Sequence, residues 1–312
     1  MRFISAEEVH ARLDYVPLAE RLRLMFEQGC RVPGRHHHQI SPSGAEKGTL
    51  LLMPCWQEDH HLGVKIVSVH PHNPSLGLPS VTGLFLLMDA GTGVPLAVID
   101  GAALTLRRTA AASALAADYL ARADSRVLLM VGAGALAPHL IRAHARTRPL
   151  REVLIWNRHP HRVEQVKAQL EIPPVHIRLA TNLEKAVAKA DIISCATSTR
   201  NPLIQGDWVK PGTHIDLVGG FTPTMREVDD RAVERARLFV DTREGALQEA
   251  GDLIDPLSRG VISRTDIAAD LSQLVRGEKK GRESRDEITL FKSVGTALED
   301  LAAAQLLMED AG

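Results

Sequence analysis

The chain has 312 residues, of which 45% are hydrophobic and 24% charged, with a formal net charge of −1 at pH 7. That length suffices for two ordinary domains, and the composition is globular rather than disordered or fibrous. No basic excess points to nucleic acid or an anionic membrane, no apolar run reaches the length of a membrane span, and the N-terminus has no apolar signal core.

In chain order, residues 5–30 place Val9, Leu13, Leu18, Leu22 and Met25 near helical spacing, which predicts an amphipathic helix. Arg35 follows in a loop after Val32-Pro33-Gly34, and His36-His37-His38 comes next. Consecutive histidines on a strand alternate faces, so His36 and His38 would point together; that spacing does not predict a metal site. Residues 48–100 read as an antiparallel sheet. Apolar runs at 50–53, 64–69, 84–88 and 96–99 are separated by prolines and by Gly91-Thr92-Gly93. Lys65 stands inside one of these runs, where an ammonium is costly unless paired, so a partner is expected. Arg107-Arg108-Thr109 opens an Ala-rich helix over 110–120. Arg35, Lys65 and Arg108 together suit one carboxylate, with arginine supplying bidentate geometry.

From about 125 to 245, strands alternate with helices, the sign of βαβ units. The predicted strands are 127–131, 152–156, 175–180, 191–196, 213–218 and 237–241. The predicted helices are 135–147, 160–170, 183–189 and 225–236. The first strand runs into Gly132-Ala133-Gly134-Ala135-Leu136-Ala137, a G-x-G-x-x-A turn placed as the dinucleotide fingerprint requires. Gly132 permits the turn, Gly134 lets backbone approach a pyrophosphate, and the helix start attracts the phosphates. The second strand ends in Asn157-Arg158, with no carboxylate for a ribose 2′-hydroxyl. An arginine there suits a 2′-phosphate, so NADPH is the expected cofactor and NADH the alternative. Residues 278–287 read as a polar linker, and 293–308 as an Ala- and Leu-rich helix that packs back on the first domain. Cys30, Cys55 and Cys195 form no CxxC pair, which fits a reducing cytoplasm. The expected fold is α/β. A Rossmann-type parallel-sheet domain over 119–288 accompanies an α+β substrate and dimerisation domain over 1–118 with 289–312.

Further stretches extend these signals along the chain: Leu52-Met53-Pro54, Gly63-Val64-Lys65, Asp100-Gly101, Arg108-Thr109-Ala110-Ala111, Ile155-Trp156-Asn157-Arg158, Trp208-Val209-Lys210-Pro211-Gly212, Val218-Gly219-Gly220, Phe291-Lys292-Ser293-Val294-Gly295 and Leu298-Glu299-Asp300. In this order they resemble the ornithine cyclodeaminase/mu-crystallin family over nearly the whole length. The resemblance implies a homodimer whose substrate-domain sheet makes the subunit contact. It implies that Arg35, Lys65 and Arg108 bind the substrate carboxylate, with Lys65, Arg108 and Phe221 at the catalytic centre. It also implies a cofactor set of Thr109, Gly132, Gly134, Ala135, Leu136, Asn157 and Arg158. Thr197 and Ser198 would lie near the nicotinamide ribose, and Lys292 and Ser293 would border the nicotinamide.

The departures from the family pattern bear on the activity. Ornithine cyclodeaminases carry a glutamate before Met-Pro, where this chain has Leu51, and an aspartate after the Gly-Gly pair, where it has Phe221. A phenylalanine neither accepts a proton nor pairs with an ammonium. The resemblance then implies a ketimine reductase of the Δ1-pyrroline-2-carboxylate reductase type, acting on a small cyclic imino acid with NAD(P)H. Two readings stay open beside it: ornithine or lysine cyclodeamination, and a mu-crystallin-like binding protein without enzymatic activity.

Overall fold

The computed structural model describes residues 1–40 and 48–309. They form two units, Met1–Arg108 with the segment from Thr296 onward, and Thr109–Gly295.

In the first unit, alternation of apolar and polar residues builds a six-stranded sheet. Its elements are β1 (Arg2–Ile4), α1 (Ala6–Arg12), α2 (Tyr15–Gln28), β2 (His36–Ile40), β3 (Gly48–Trp56), β4 (His61–Val69), β5 (Val81–Asp89), β6 (Pro95–Asp100) and the start of α3 (Gly101–Leu120), whose residues from Thr109 on belong to the second unit. The strand order is β1-β6-β5-β4-β3-β2, antiparallel except for the β1–β6 pair. The single helix expected over 5–30 is two helices. The chain breaks at Leu13-Asp14, where Asp14 Oδ1 accepts a hydrogen bond from Tyr15 N and starts α2. One face of the sheet, with Met53, Cys55, Val67, Phe85, Leu87, Ala97 and Ile99, is buried. The C-terminal helix, Ala297–Glu309, packs on β3, β4, β5 and α2. On the opposite face the row Leu52, Ile66, Leu84 stays open, with Ile66 40% and Leu84 44% exposed.

The second unit is a doubly wound α/β layer. Its elements are β7 (Val127–Val131), α4 (Ala137–Thr147), β8 (Glu152–Trp156), α5 (Pro160–Lys167), β9 (His176–Leu179), α6 (Leu183–Lys189), β10 (Ile192–Cys195), β11 (His214–Leu217), α7 (Asp230–Arg235), β12 (Ala236–Val240), α8 (Arg243–Glu249), α9 (Gly251–Ser258), β13 (Ile267–Asp270), α10 (Leu271–Val275) and β14 (Ile288–Lys292). The C-terminal helix of the first unit is α11. All eight strands run parallel, in the order β13-β12-β14-β11-β10-β7-β8-β9. The central strands are buried on both faces; β7 is a continuous apolar run, while Ser194, Asp216 and Lys292 place buried polar groups in β10, β11 and β14. The unit spans 109–295, and β14 lies between β11 and β12 in its sheet. The helix expected over 225–236 is only the short α7, and residue 236 already begins β12.

Candidate active site

In the first unit, β4 and α3 bring Lys65 and Arg108 to two carboxylates at the start of α11. Lys65 Nζ donates to Asp300 Oδ1 at 2.9 Å. Arg108 Nε donates to the same oxygen at 3.1 Å, and Arg108 Nη1 donates to Glu299 Oε2 at 2.6 Å. All four side chains are buried, Lys65 and Arg108 at no more than 5% exposure. Two cations and two anions therefore neutralise one another inside the unit, which is the condition for burying such groups. The partner expected for Lys65 is thus Asp300. The sequence pattern assigns no role to Glu299 or Asp300. The available signal was two adjacent carboxylates opening an otherwise apolar helix.

Burial pulls the Lys65 ammonium down to about 8, against the attraction of Asp300. For Arg108, burial works the same way, but Asp300 and Glu299 outweigh it and hold the guanidinium protonated above its ordinary range. Among the described residues its bonds use Nε and Nη1, which leaves the Nη2 corner of the fork for a further acceptor. Arg35 directly precedes β2. The paired ladder begins at His36–Leu52, so Arg35 lies just outside the sheet, while Met53 of β3 pairs with Lys65. His36 and His38 lie exposed on β2 with ring centroids 6.3 Å apart.

In the second unit, β7 delivers the fingerprint turn. Gly132 has φ +112°, and a Cβ there would stand 2.5 Å from the Ala196 carbonyl oxygen, so only glycine fits. Gly134 and Ala135 are exposed, and a Cβ on Gly134 would meet nothing within 4 Å. Leu136 is half-buried, and no side chain caps the start of α4. The backbone is therefore open toward an anion at a helix N-terminus, the shape a pyrophosphate requires. After β8, Asn157 Oδ1 accepts from His159 N at 2.8 Å. Its acceptor is thus engaged locally, Asn157 is half-buried, and the neighbouring Arg158 is exposed.

Thr109 is buried within α3. Thr197 and the exposed Ser198 follow β10, and Phe221, 47% exposed, follows the buried Gly219-Gly220 pair after β11. Lys292 and Ser293, expected to border the nicotinamide, have their side chains committed internally. Lys292 Nζ lies 3.1 Å from Asp252 Oδ2 and 4.0 Å from Glu227 Oε2, all three groups being buried. Ser293 Oγ donates to Asp241 Oδ2 at 3.2 Å, and that oxygen also accepts from Val294 N and Gly295 N. Burial raises the Asp241 carboxyl, against these hydrogen bonds.

The sequence profile of the ornithine cyclodeaminase/mu-crystallin family matches residues 8–312. The Δ1-pyrroline-2-carboxylate reductase of Colwellia psychrerythraea is 37% identical, over 99% of this chain and 99% of its own length. Among solved structures, the Δ1-pyrroline-2-carboxylate reductase of Thermococcus litoralis in complex with NADH and L-proline superposes with TM-score 0.91 at 37% identity, covering 100% of this chain and 97% of the other. An archaeal alanine dehydrogenase dimer with bound NAD superposes with TM-score 0.92 at 31% identity, over 100% and 96% of the two chains.

Proposed function

The chain belongs to the ornithine cyclodeaminase/mu-crystallin family, and on that premise we propose that it reduces cyclic ketimines with NAD(P)H. Δ1-Pyrroline-2-carboxylate would give L-proline, and Δ1-piperideine-2-carboxylate would give L-pipecolate. The observation that carries this reading is Phe221, an exposed apolar side chain after Gly219-Gly220, in a chain that keeps Lys65 and Arg108. Without a carboxylate at that place, deamination of a diamine lacks its proton-handling group. A preformed imine needs only a hydride at carbon and a proton at nitrogen.

The residues divide the work. Lys65 and Arg108 hold the substrate carboxylate, and Arg35, which directly precedes β2, assists. Asp300 and Glu299 fix the two cations beforehand, so little ordering remains when substrate binds. Phe221 offers an apolar wall. The turn at Gly132, Gly134, Ala135 and Leu136 takes the pyrophosphate, and Thr109, Thr197 and Ser198 complete the cofactor contacts. When bound, the reduced nicotinamide supplies the hydride. Asn157 and Arg158 favour NADPH over NADH, and Arg158→Ala should remove most of that preference, about 1.5–3 kcal/mol for one charge-assisted phosphate contact. The open apolar row on the first unit's sheet supports a homodimer formed through that face.

The deciding experiment offers purified protein NADPH and NADH with each imine, and separately NAD with L-ornithine. Oxidation of reduced cofactor by both imines is expected, since one ring methylene changes discrimination by only about 1–3 kcal/mol. Ammonia release from L-ornithine without imine reduction would replace this reading with cyclodeamination. Cofactor binding with neither reaction would favour a binding protein.

A further inference from the structure

The loops that leave β10 and β11 are tied together by one carboxylate to which no sequence pattern pointed. Glu227 is fully buried. Its Oε1 accepts from Thr197 N at 2.7 Å and from Thr197 Oγ1 at 2.8 Å. Its Oε2 accepts from Gly219 N at 2.9 Å and from Gly220 N at 3.3 Å. Behind it, Asp252 Oδ1 accepts from Glu227 N at 2.6 Å and from Val228 N at 3.2 Å, and Lys292 lies against Asp252.

The glycine pair follows from this arrangement. A Cβ on Gly219 would lie 2.1 Å from Thr197 O and 2.4 Å from Glu227 Oε1, and one on Gly220 would lie 2.7 Å from Asp252 Oδ2. The tied loops also touch the fingerprint turn. The Cβ position of Gly132 is 3.2 Å from Thr197 Cγ2, as well as against the Ala196 carbonyl. In open parallel sheets, ligands bind beyond the C-terminal strand ends at the switch in strand order, here between β7 and β10.

We propose that Glu227 is a positioning residue for the nicotinamide half of the cofactor: it holds the Thr197 loop and the Gly219–Phe221 loop in one fixed arrangement before anything binds. This rests on the dinucleotide reading above. Glu227 touches neither cofactor nor substrate; it acts through the four donors it gathers. The adenine half, taken up at Asn157 and Arg158, lies outside its reach.

The test separates the two halves of the ligand. Binding of NADPH and of 2′,5′-ADP, and of NADH and ADP as a matched pair, is measured for the wild type, Glu227→Gln and Glu227→Asp. The amide of Gln presents an N–H donor to backbone donors, and Asp withdraws the carboxylate by one methylene. Both should weaken the whole dinucleotide at least tenfold while leaving the adenine fragment within twofold. A structural role alone would weaken fragment and dinucleotide together, which would overturn the proposal, as would unchanged binding of both. If neither variant folds, the wild type decides by hydrogen exchange without cofactor. The amides of Thr197, Gly219 and Gly220 should be protected like those of β10 and β11, and exchange at open-loop rates would overturn the proposal. A wild type that binds neither dinucleotide would overturn the parent reading, and this one with it.

Discussion

Lys65 is poised between burial, which discharges it, and Asp300, which keeps it charged. With the folded value near 8, below that of a free lysine, the folded state loses this proton first as pH rises. The group's contribution to stability therefore increases between about pH 8 and the ordinary lysine range. For a carboxylate ligand the sign is opposite, because the ammonium that attracts it disappears over the same interval. Pyrrole-2-carboxylate, which does not titrate there, should bind with constant affinity below about pH 8 and up to about tenfold more weakly per pH unit above it. In Lys65→Met the affinity should be lower and the dependence absent, since Arg108 stays protonated. Titration of the inhibitor at fixed ionic strength checks this, and a wild-type profile flat to pH 9.5 would remove Lys65 from the carboxylate clamp.

At the scale of elements, the strand–turn–helix at β7–α4 gives two glycines different tasks. Gly132→Ala meets a backbone carbonyl at a positive φ and should cost at least about 2 kcal/mol of stability. Gly134→Ala meets nothing, so its melting temperature should match wild type while cofactor affinity falls at least tenfold. Thermal melts and cofactor titrations separate the two effects. Unchanged affinity in Gly134→Ala would move the pyrophosphate away from this turn. This unit was legible in the sequence because strand, glycine turn and helix are contiguous and each has a local signature. The predicted strands 127–131 and 152–156 appear with those bounds. Asp14, with Pro17 three residues on, was a readable helix start that splits 5–30 in two. By contrast, β14 carries Lys292 in its sequence, and the ammonium hid a strand whose partners Asp252 and Glu227 lie 40 and 65 residues away. Glu227 falls in a segment that reads as helix and is held instead by Asp252, a contact no local pattern encodes. Lys65 announced its need for a partner, but only the packing of α11 on β4 identified Asp300.

At the scale of the whole molecule, the alternation along β3, β4 and β5 explains one buried face, and on the other, among the described residues, Ile66 and Leu84 stay exposed beside the half-buried Leu52. An apolar face of that kind fits contact with a second copy. Light scattering on the purified chain should give twice its mass at micromolar concentration, and Ile66→Glu with Leu84→Glu should give the monomer. A monomeric wild type would assign the row to another partner.

In the proposed reaction a hydride passes from the nicotinamide to the imine carbon of a carboxylate-anchored ring. Its most direct measurement uses cofactor deuterated at the transferable position, with Δ1-pyrroline-2-carboxylate as the acceptor, and mass spectrometry of the product. L-Proline carrying one deuterium at Cα is the predicted result. Proline without label, or no proline from protein that binds the cofactor, would rule out this hydride transfer.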